Sequence, residues 1–489
     1  MGRQWGPATR AAEQAGCVVS ASRAGQPEAG PWSCSGVILS RRPGLVLCHG
    51  GIFTPFLRAG SGVLTAAGAA FLPGGSCGDD LRLSVQWGPT AVSSAGRAER
   101  GRRGLCSPQC AGLEPGPPSP ARGLPLRPPR PAELLLLLSC PAFRAHFALL
   151  FGGEAAEQWR FASAAPDEEV SEDDEEDQLR ALGWFALLRV QRGPEEAAEE
   201  CGPAVAVAPL GAVPKGAPLL ACGSPFGTFC PDIFLNTLSR GVLSNATGPL
   251  LLTDARCLPG TEGGGVFAAR PAGALVALVA APLCWKAREW GTHQIWKLPL
   301  QCVNRKPLCD LGSATIWGHV VFATQETSPY DIAVVSLEED LGDVPIPVPA
   351  EHFHEGETVS VVGFGIFGQA CGPSVTSGIL SAVVQVDNTP VMLQTTCAVH
   401  GGSSGGPLFS TSSGDLLGIV ASNTRDNNTG ATYPHLNFSI PITVLQPALQ
   451  RYSQTGDLGS LRELDQAAEP VRVVWRLQRP LEEAPRSKL

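Results

Sequence analysis

Gly402-Ser403-Ser404-Gly405-Gly406-Pro407 is the stretch on which the reading of this chain turns. A serine hydroxyl attacks a carbonyl only with help: a base for its proton, a carboxylate to orient the base, and donors for the negative charge that develops on oxygen. A Gly-x-Ser-Gly-Gly loop supplies nucleophile and donors together. Its glycines allow the tight turn that aims the N–H groups of Gly402 and Ser404, the expected oxyanion hole, at one point. A simple Gly/Ser turn in a glycine-rich chain can show the same letters. The company argues for chemistry. Pro407 follows the loop, a strand pattern LLGIVAS occupies 416–422, and far upstream Asp331 opens the apolar run Ile332-Ala333-Val334-Val335. Ser404 is the expected nucleophile and Asp331 the expected orienting acid.

Strand-like runs surround this loop in a definite order: 359–367 (VSVVGFGIF), 377–381 (SGILS), 392–395 (MLQT), and 438–441 (FSIP). The order recurs upstream in weaker form. Trp184 to Leu188 stands where the Asp331 strand should be; 222–227 (CGSPFG) precedes 240–244 (RGVLS); then come 251–254 (LLTD), 260–265 (GTEGGG) and 273–278 (GALVAL). Asp331 lies 73 residues before Ser404, and Trp184 lies 78 before Glu262. The chain reads as an internal duplication, with Trp184 and Glu262 at the acid and nucleophile positions of the first copy. In that copy 35–39 (SGVIL) and 45–49 (LVLCH) form a strand pair ending in His49.

Over roughly residues 315–445 these motifs resemble the trypsin/HtrA superfamily of serine proteases. The resemblance implies an all-β fold, the chymotrypsin-type double β-barrel, with a triad met in the order His, Asp, Ser. It makes the first copy a pseudo-protease by residue type. The residue six before the nucleophile floors the S1 pocket in this fold, and here it is Ala398. Cleavage after Lys or Arg needs a carboxylate there, so a small or neutral P1 residue is implied, with a wall contribution from Asp426 left open. The template puts the histidine about 30 to 45 residues before the acid, at a strand end. His293, 38 residues before Asp331, is the candidate base, although Trp290-Gly291-Thr292-His293-Gln294 is no strand end. His319 is 12 residues away, inside a strand, and reads as structural. The stretch 286–314 is short for the early strands of a six-stranded barrel. The first barrel of the second copy is therefore expected to be truncated.

Composition agrees with β-rich cores. Of 489 residues 44% are hydrophobic and 17% charged, with 57 Gly and 44 Pro punctuating Val-rich runs. A net charge of −9 argues against nucleic acid as a partner. The N-terminal MGRQWGPATRAAEQAG lacks the apolar core of a secretory signal. The run Leu134 to Leu138 is far short of the roughly 20 residues that span a membrane. Sixteen cysteines form no CxxC pair, so reduced thiols are expected and no metal site or cofactor is read. The Asn-X-Ser/Thr matches at Asn245, Asn427 and Asn437 then carry no glycan.

The chain divides into a degenerate region 1–285, a protease-like domain 286–450 and a C-terminal tail 451–489. The first contains an Arg/Pro-rich linker at 90–133 and an acidic loop at 167–177. Residues 48 in number follow Pro441, too few for the PDZ domain of an HtrA protein. The chain ends in Ser487-Lys488-Leu489, a receptor-read peroxisomal address. Tag and degenerate copy together resemble peroxisomal members of the superfamily. That implies leader removal from imported matrix proteins, fatty-acid oxidation enzymes among them, with the import receptor and these substrates as partners and self-association open. The alternative is a splice-type variant that binds or regulates without catalysis. Cys110-Ala111, in the linker, is a candidate self-cleavage bond, since exposed small-residue linkers are nicked readily and a pocket floored by Ala398 accepts Cys.

Overall fold

The computed structural model describes the chain outside residues 1, 26–31, 59, 67–68, 89–127, 152–158, 162–182, 192–204, 210, 228–230, 271–272, 282, 286–302, 306–313, 317, 340–343, 366–371, 426–431 and 477–489. It divides into two compact units. One comprises Met1–Leu149, Trp159–Gly241 and Ala255–Cys284; the other comprises Leu150–Gln158, Val242–Asp254 and Trp285–Leu489.

The strands of the first unit begin with β1 (Gly16–Arg23), β2 (Trp32–Arg41), β3 (Gly44–His49), β4 (Leu64–Ala66), β5 (Ala69–Pro73) and β6 (Leu81–Gln86). They continue with β7 (Arg130–Ser139), β8 (Trp159–Phe161) and β9 (Trp184–Val190). The sheet runs β4-β5-β7-β6-β1-β2-β3-β9, and a further pairing of β7 with β9 closes six of these strands into a barrel. Alternate residues point inward, so Val19, Ala21, Cys34, Ile38, Val46, Cys48, Val85, Ala186 and Leu188 fill it. The leucine run is β7: Leu134 and Leu137 enter the core while Leu138 stays 38% exposed. β7 starts at Arg130, inside the stretch read as linker. The rest of that linker to 127, Cys110-Ala111 and the acidic 167–177 lie outside the described residues.

The sequence suggested no element at the N-terminus, yet Gly2–Ala15 is helical. Ala8, Ala12 and Ala15 fall on one face and are buried against Val37, Leu220, Cys222, Phe267 and Leu275. Alanine stripes pack closely while adding little hydropathy, which is why no apolar period announced them. The second sheet of the first copy contains β10 (Pro218–Gly223), β11 (Thr237–Thr247), β12 (Leu250–Thr253), β13 (Gly265–Ala268) and β14 (Leu275–Leu278), ordered β12-β11-β10-β13-β14. The next strand, β15 (Leu283–Trp285), pairs with β8.

In the second unit β16 (Val303–Arg305) pairs with β17 (Ala314–Ile316), and β18 (Gly318–Ala323) with β19 (Ala333–Leu337). These two ribbons precede the next barrel; most of the stretch 286–314, on which the expected truncation rests, lies outside the described residues. That barrel contains β20 (Thr358–Gly363), β21 (Ser374–Val386), β22 (Thr389–Thr395), β23 (Pro407–Ser410), β24 (Leu416–Arg425) and β25 (Thr432–Pro441), closed in the order β20-β21-β22-β25-β24-β23. Val359, Val361, Leu380, Leu393, Cys397, Leu408, Leu417 and Val420 form its core. The fold is the all-β barrel architecture that the motifs implied.

The segment expected to be a tail is structured as far as Arg476. A helix Ile442–Thr455 ends at Gly456 (φ +68°), a 3-10 helix Leu458–Asp465 follows, and Glu469–Arg476 is helical. Leu461, Leu464 and Trp475 join Tyr330, Met392 and Ile440 in a second core. Trp475 Nε1 donates to the Val391 carbonyl at 3.1 Å.

Candidate active site

The loop between β22 and β23 presents Ser404. Gly402 (φ +90°) and Gly405 (φ +81°) adopt left-handed backbone, which costs a residue with Cβ. A Cβ on Gly402 would also stand 2.7 Å from the Phe364 carbonyl oxygen. Four main-chain bonds hold the turn: Ser403 N to His400 O at 2.9 Å, Gly406 N to Ser403 O at 3.0 Å, Gly405 N to Val420 O at 2.8 Å, and Val420 N to Gly406 O at 2.9 Å. The amides of Gly402 and Ser404 donate no hydrogen bond among the described residues. Ser403 is buried; Ser404 is exposed, its Oγ donating to the Ala421 carbonyl at 3.3 Å.

Asp331 sits immediately ahead of β19, exposed, with φ +52°. Such backbone in a non-glycine residue persists only where its surroundings impose it. Here they do. Ile332 N donates to Thr324 Oγ1 at 2.9 Å and Thr324 N to Ile332 O at 2.9 Å. The C-terminal 3-10 helix grips the same loop, Ser328 Oγ donating to Leu464 O at 2.9 Å and Gln325 N to Asp465 Oδ1 at 2.8 Å. Tyr330 meets Trp475 edge-on at 6.1 Å.

No hydrogen bond among the described residues joins Asp331 to Ser404 or to a histidine. His293, Asp426 and Ser487-Lys488-Leu489 lie outside the described residues. His319 is exposed on β18, its Nε2 2.8 Å from Glu338 Oε1.

Ala398, the expected pocket floor, is 8% exposed and lies on a segment held from two sides. From β21, Thr376 Oγ1 donates to Ala398 O at 2.8 Å and Ile379 N to Thr396 Oγ1 at 3.0 Å. From β25, the buried Asn437 donates to Cys397 O and accepts from Thr395 Oγ1, both at 2.6 Å. Sequence reasoning saw Asn437 only as a glycosylation match; its burial was the missing signal. Cys397 is fully buried, and desolvation pushes its thiol up to about 12, as an inert packed cysteine.

The loop around Glu262 repeats this geometry bond for bond. Gly260 (φ +91°) and Gly263 (φ +83°) match Gly402 and Gly405. Thr261 N donates to Leu258 O at 3.1 Å, Gly264 N to Thr261 O at 2.9 Å, Gly263 N to Val279 O at 2.8 Å and Val279 N to Gly264 O at 2.8 Å. The difference is the side chain. Gly260 N, in the place of Gly402 N, donates to Glu262 Oε2 at 2.7 Å. Burial pushes the Glu262 carboxyl up, while hydrogen bonds from its own amide and from Gly260 act in the opposite direction. The two amides that would cradle an oxyanion are taken by a carboxylate belonging to the chain itself. Nearby, Trp184 opens β9 and His49 ends β3, but His49 Nδ1 accepts from Gly51 N at 3.1 Å rather than donating to an acid.

Comparison of the amino-acid sequence with known proteins places the chain among proteases. The trypsin-like peptidase domain family matches residues 299–419. The peroxisomal leader peptide-processing protease of Homo sapiens is 71% identical over 566 residues, covering 100% of both chains, and that of Mus musculus is 71% identical over 569 residues with the same coverage. A DegP-like periplasmic serine endoprotease of Halomonas elongata is 32% identical over 139 residues, 26% of each chain. Among solved structures, Rv3671c from M. tuberculosis (Ser343Ala mutant) is 18% identical and covers 29% of this chain and 68% of its own, with a TM-score of 0.23.

Proposed function

The chain belongs to the family of peroxisomal leader peptide-processing proteases, and from that premise we propose that it is a serine endopeptidase of the peroxisomal matrix that acts on imported proteins. Leader peptides are its substrates, and enzymes of fatty-acid oxidation are among the proteins it processes. An import receptor reads Ser487-Lys488-Leu489. The first copy is a pseudo-protease, its nucleophile position held by Glu262.

One observation carries the catalytic reading: Ser404 stands exposed between two left-handed glycines, with the Gly402 and Ser404 amides available. In the proposed reaction Ser404 Oγ leaves the Ala421 carbonyl, gives its proton to the imidazole of His293 and attacks the scissile carbonyl. The amides of Gly402 and Ser404 hold the oxyanion, and Asp331 orients and stabilises the imidazolium. Protonated His293 then donates to the leaving amine, and water, activated in turn, releases the acyl group. Ala398 floors a neutral pocket suited to a small P1 residue. Acyl transfer of this kind runs on side chains and main-chain amides alone.

A second reading, a catalytically impaired variant acting as a binding or regulatory partner, has its own observation. The alignment with the human relative spans 566 residues against the 489 of this chain, so 77 of its positions face no residue here. One experiment separates the two. Purified full chain is treated with a fluorophosphonate, and the labelled peptide is identified. The catalytic reading expects Ser404 to be labelled, labelling to fall by roughly 10⁴-fold or more in Ser404→Ala and His293→Ala, and His319→Ala to be unaffected. An unlabelled wild-type chain supports the second reading. Labelling that survives His293→Ala removes that residue from the mechanism.

A further inference from the structure

The hairpin formed by the end of β11, β12 and Asp254 derives in sequence from the first copy, yet Val242–Asp254 forms part of the second compact unit. Its attachments converge on the start of β21. Asp254 Oδ1 accepts from Val242 N at 2.6 Å, closing the base of the hairpin. Asp254 Oδ2 accepts from Ser377 N at 2.6 Å and from Ser377 Oγ at 3.0 Å. Asn245 Nδ2 donates to Gly372 O at 3.3 Å and to Ser374 Oγ at 3.1 Å.

The anchored stretch of β21 is the one that carries the pocket floor. Thr376, next to Ser377, donates to the Ala398 carbonyl at 2.8 Å. Gly378, on the other side, lies so close to the floor segment that a Cβ would stand 2.5 Å from Cys397 N. Hydrogen bonds to an ionised acceptor are stronger than neutral ones, and a carboxylate oxygen has no proton to misdirect. Asp254 therefore fixes Ser377, and through Thr376 and Gly378 it fixes the height of Ala398.

We propose that Asp254 is a positioning residue for the specificity pocket, through which the hairpin from the degenerate copy sets the pocket's depth. This rests on the reading of Ser404 and Ala398 given above. It accounts for a function of the first copy that needs no chemistry of its own.

The test uses the full-length chain with Asp254→Ala, Asp254→Asn and a control, Leu461→Ala, which weakens the same unit away from the pocket. Two readouts are taken. The first is hydrogen exchange at residues 396–400. The second is the ratio of inactivation rates by peptidyl phosphonates bearing Ala or Phe at P1. Asp254→Ala removes all three hydrogen bonds to the carboxylate and should raise exchange at 396–400 and shift the Ala/Phe ratio, each by about tenfold or more. Asp254→Asn, which keeps one acceptor oxygen, should shift both less, and Leu461→Ala should leave the ratio unchanged. Unaltered exchange in Asp254→Ala overturns the proposal whether or not the chain is active. So does an unaltered ratio in a chain that reacts. A wild-type chain that never reacts refutes the catalytic reading instead, and exchange alone then decides on Asp254.

Discussion

Glu262 and Ser404 occupy the same place in two loops whose hydrogen bonds and backbone angles match, so the contrast between them is one of side-chain chemistry alone. The Ser404 hydroxyl leaves the amides of its loop open; the Glu262 carboxylate, two atoms longer, folds back onto those of its own. Glu262→Ala would leave buried N–H donors without their acceptor, a loss of about 1–3 kcal/mol each. The expected outcome is a lower melting temperature, restored in part by formate, which is small enough to refill the space. Protonation gives a second handle. Because burial raises the folded-state value of Glu262 above the unfolded one, its contribution is fully present below the ordinary carboxylate range and is lost as pH climbs through the raised value. Glu262→Gln, which does not ionise, should gain stability relative to wild type as pH rises from the ordinary carboxylate range through the raised value, as measured by melting temperature at each pH. A difference that stays constant with pH would show that this carboxyl is not desolvated.

Among the elements, the C-terminal helices contribute most to holding the acid. The short helix Glu469–Arg476 buries Trp475 against Tyr330, and the 3-10 helix before it binds Ser328 and Gln325. These contacts flank Asp331 and keep it in left-handed backbone. Trp475→Ala should cost about 3–5 kcal/mol, the range for deleting a large buried aromatic. Exchange should accelerate at residues 324–332 while the loop around Ser404 keeps its protection. Uniform acceleration over the whole barrel would mean that the helices stabilise the unit without singling out the acid. The element scale also explains two buried asparagines. Asn245 and Asn437 match a glycosylation pattern, yet both bridge strands from buried positions, 3% and 0% exposed, where a glycan has no room.

For the whole molecule, address and processing meet in one experiment. In cells, the full chain should reach peroxisomes, and a fragment beginning at Ala111 should accumulate there, because the bond after Cys110 suits a neutral pocket. A chain lacking Ser487-Lys488-Leu489 should stay in the cytosol, with that fragment strongly reduced. Co-localisation unaffected by the deletion would refute the address, and a new N-terminus far from Ala111 would refute the cleavage site.

The amino-acid sequence by itself determined the glycine-framed loop around Ser404, its counterpart around Glu262, the Asp331 that precedes β19 and the strand-rich, all-β pattern. These are legible because they are local. A left-handed turn demands glycine at set positions, a strand shows its period of two, and a missing serine is visible wherever the loop is found. Tertiary structure alone decided the rest. That Glu262 turns back onto Gly260, that Asp254 reaches Ser377 across 123 residues, that Asn437 holds Cys397, and that an alanine helix and a supposed tail belong to the cores were not legible. The Glu262 contact, two residues long, depends on the fold of its loop; the others depend on register and on partners distant in the chain. A hydrogen-bonding side chain carries no mark of which distant amide it will meet; only the closed barrel brings the two within 3 Å.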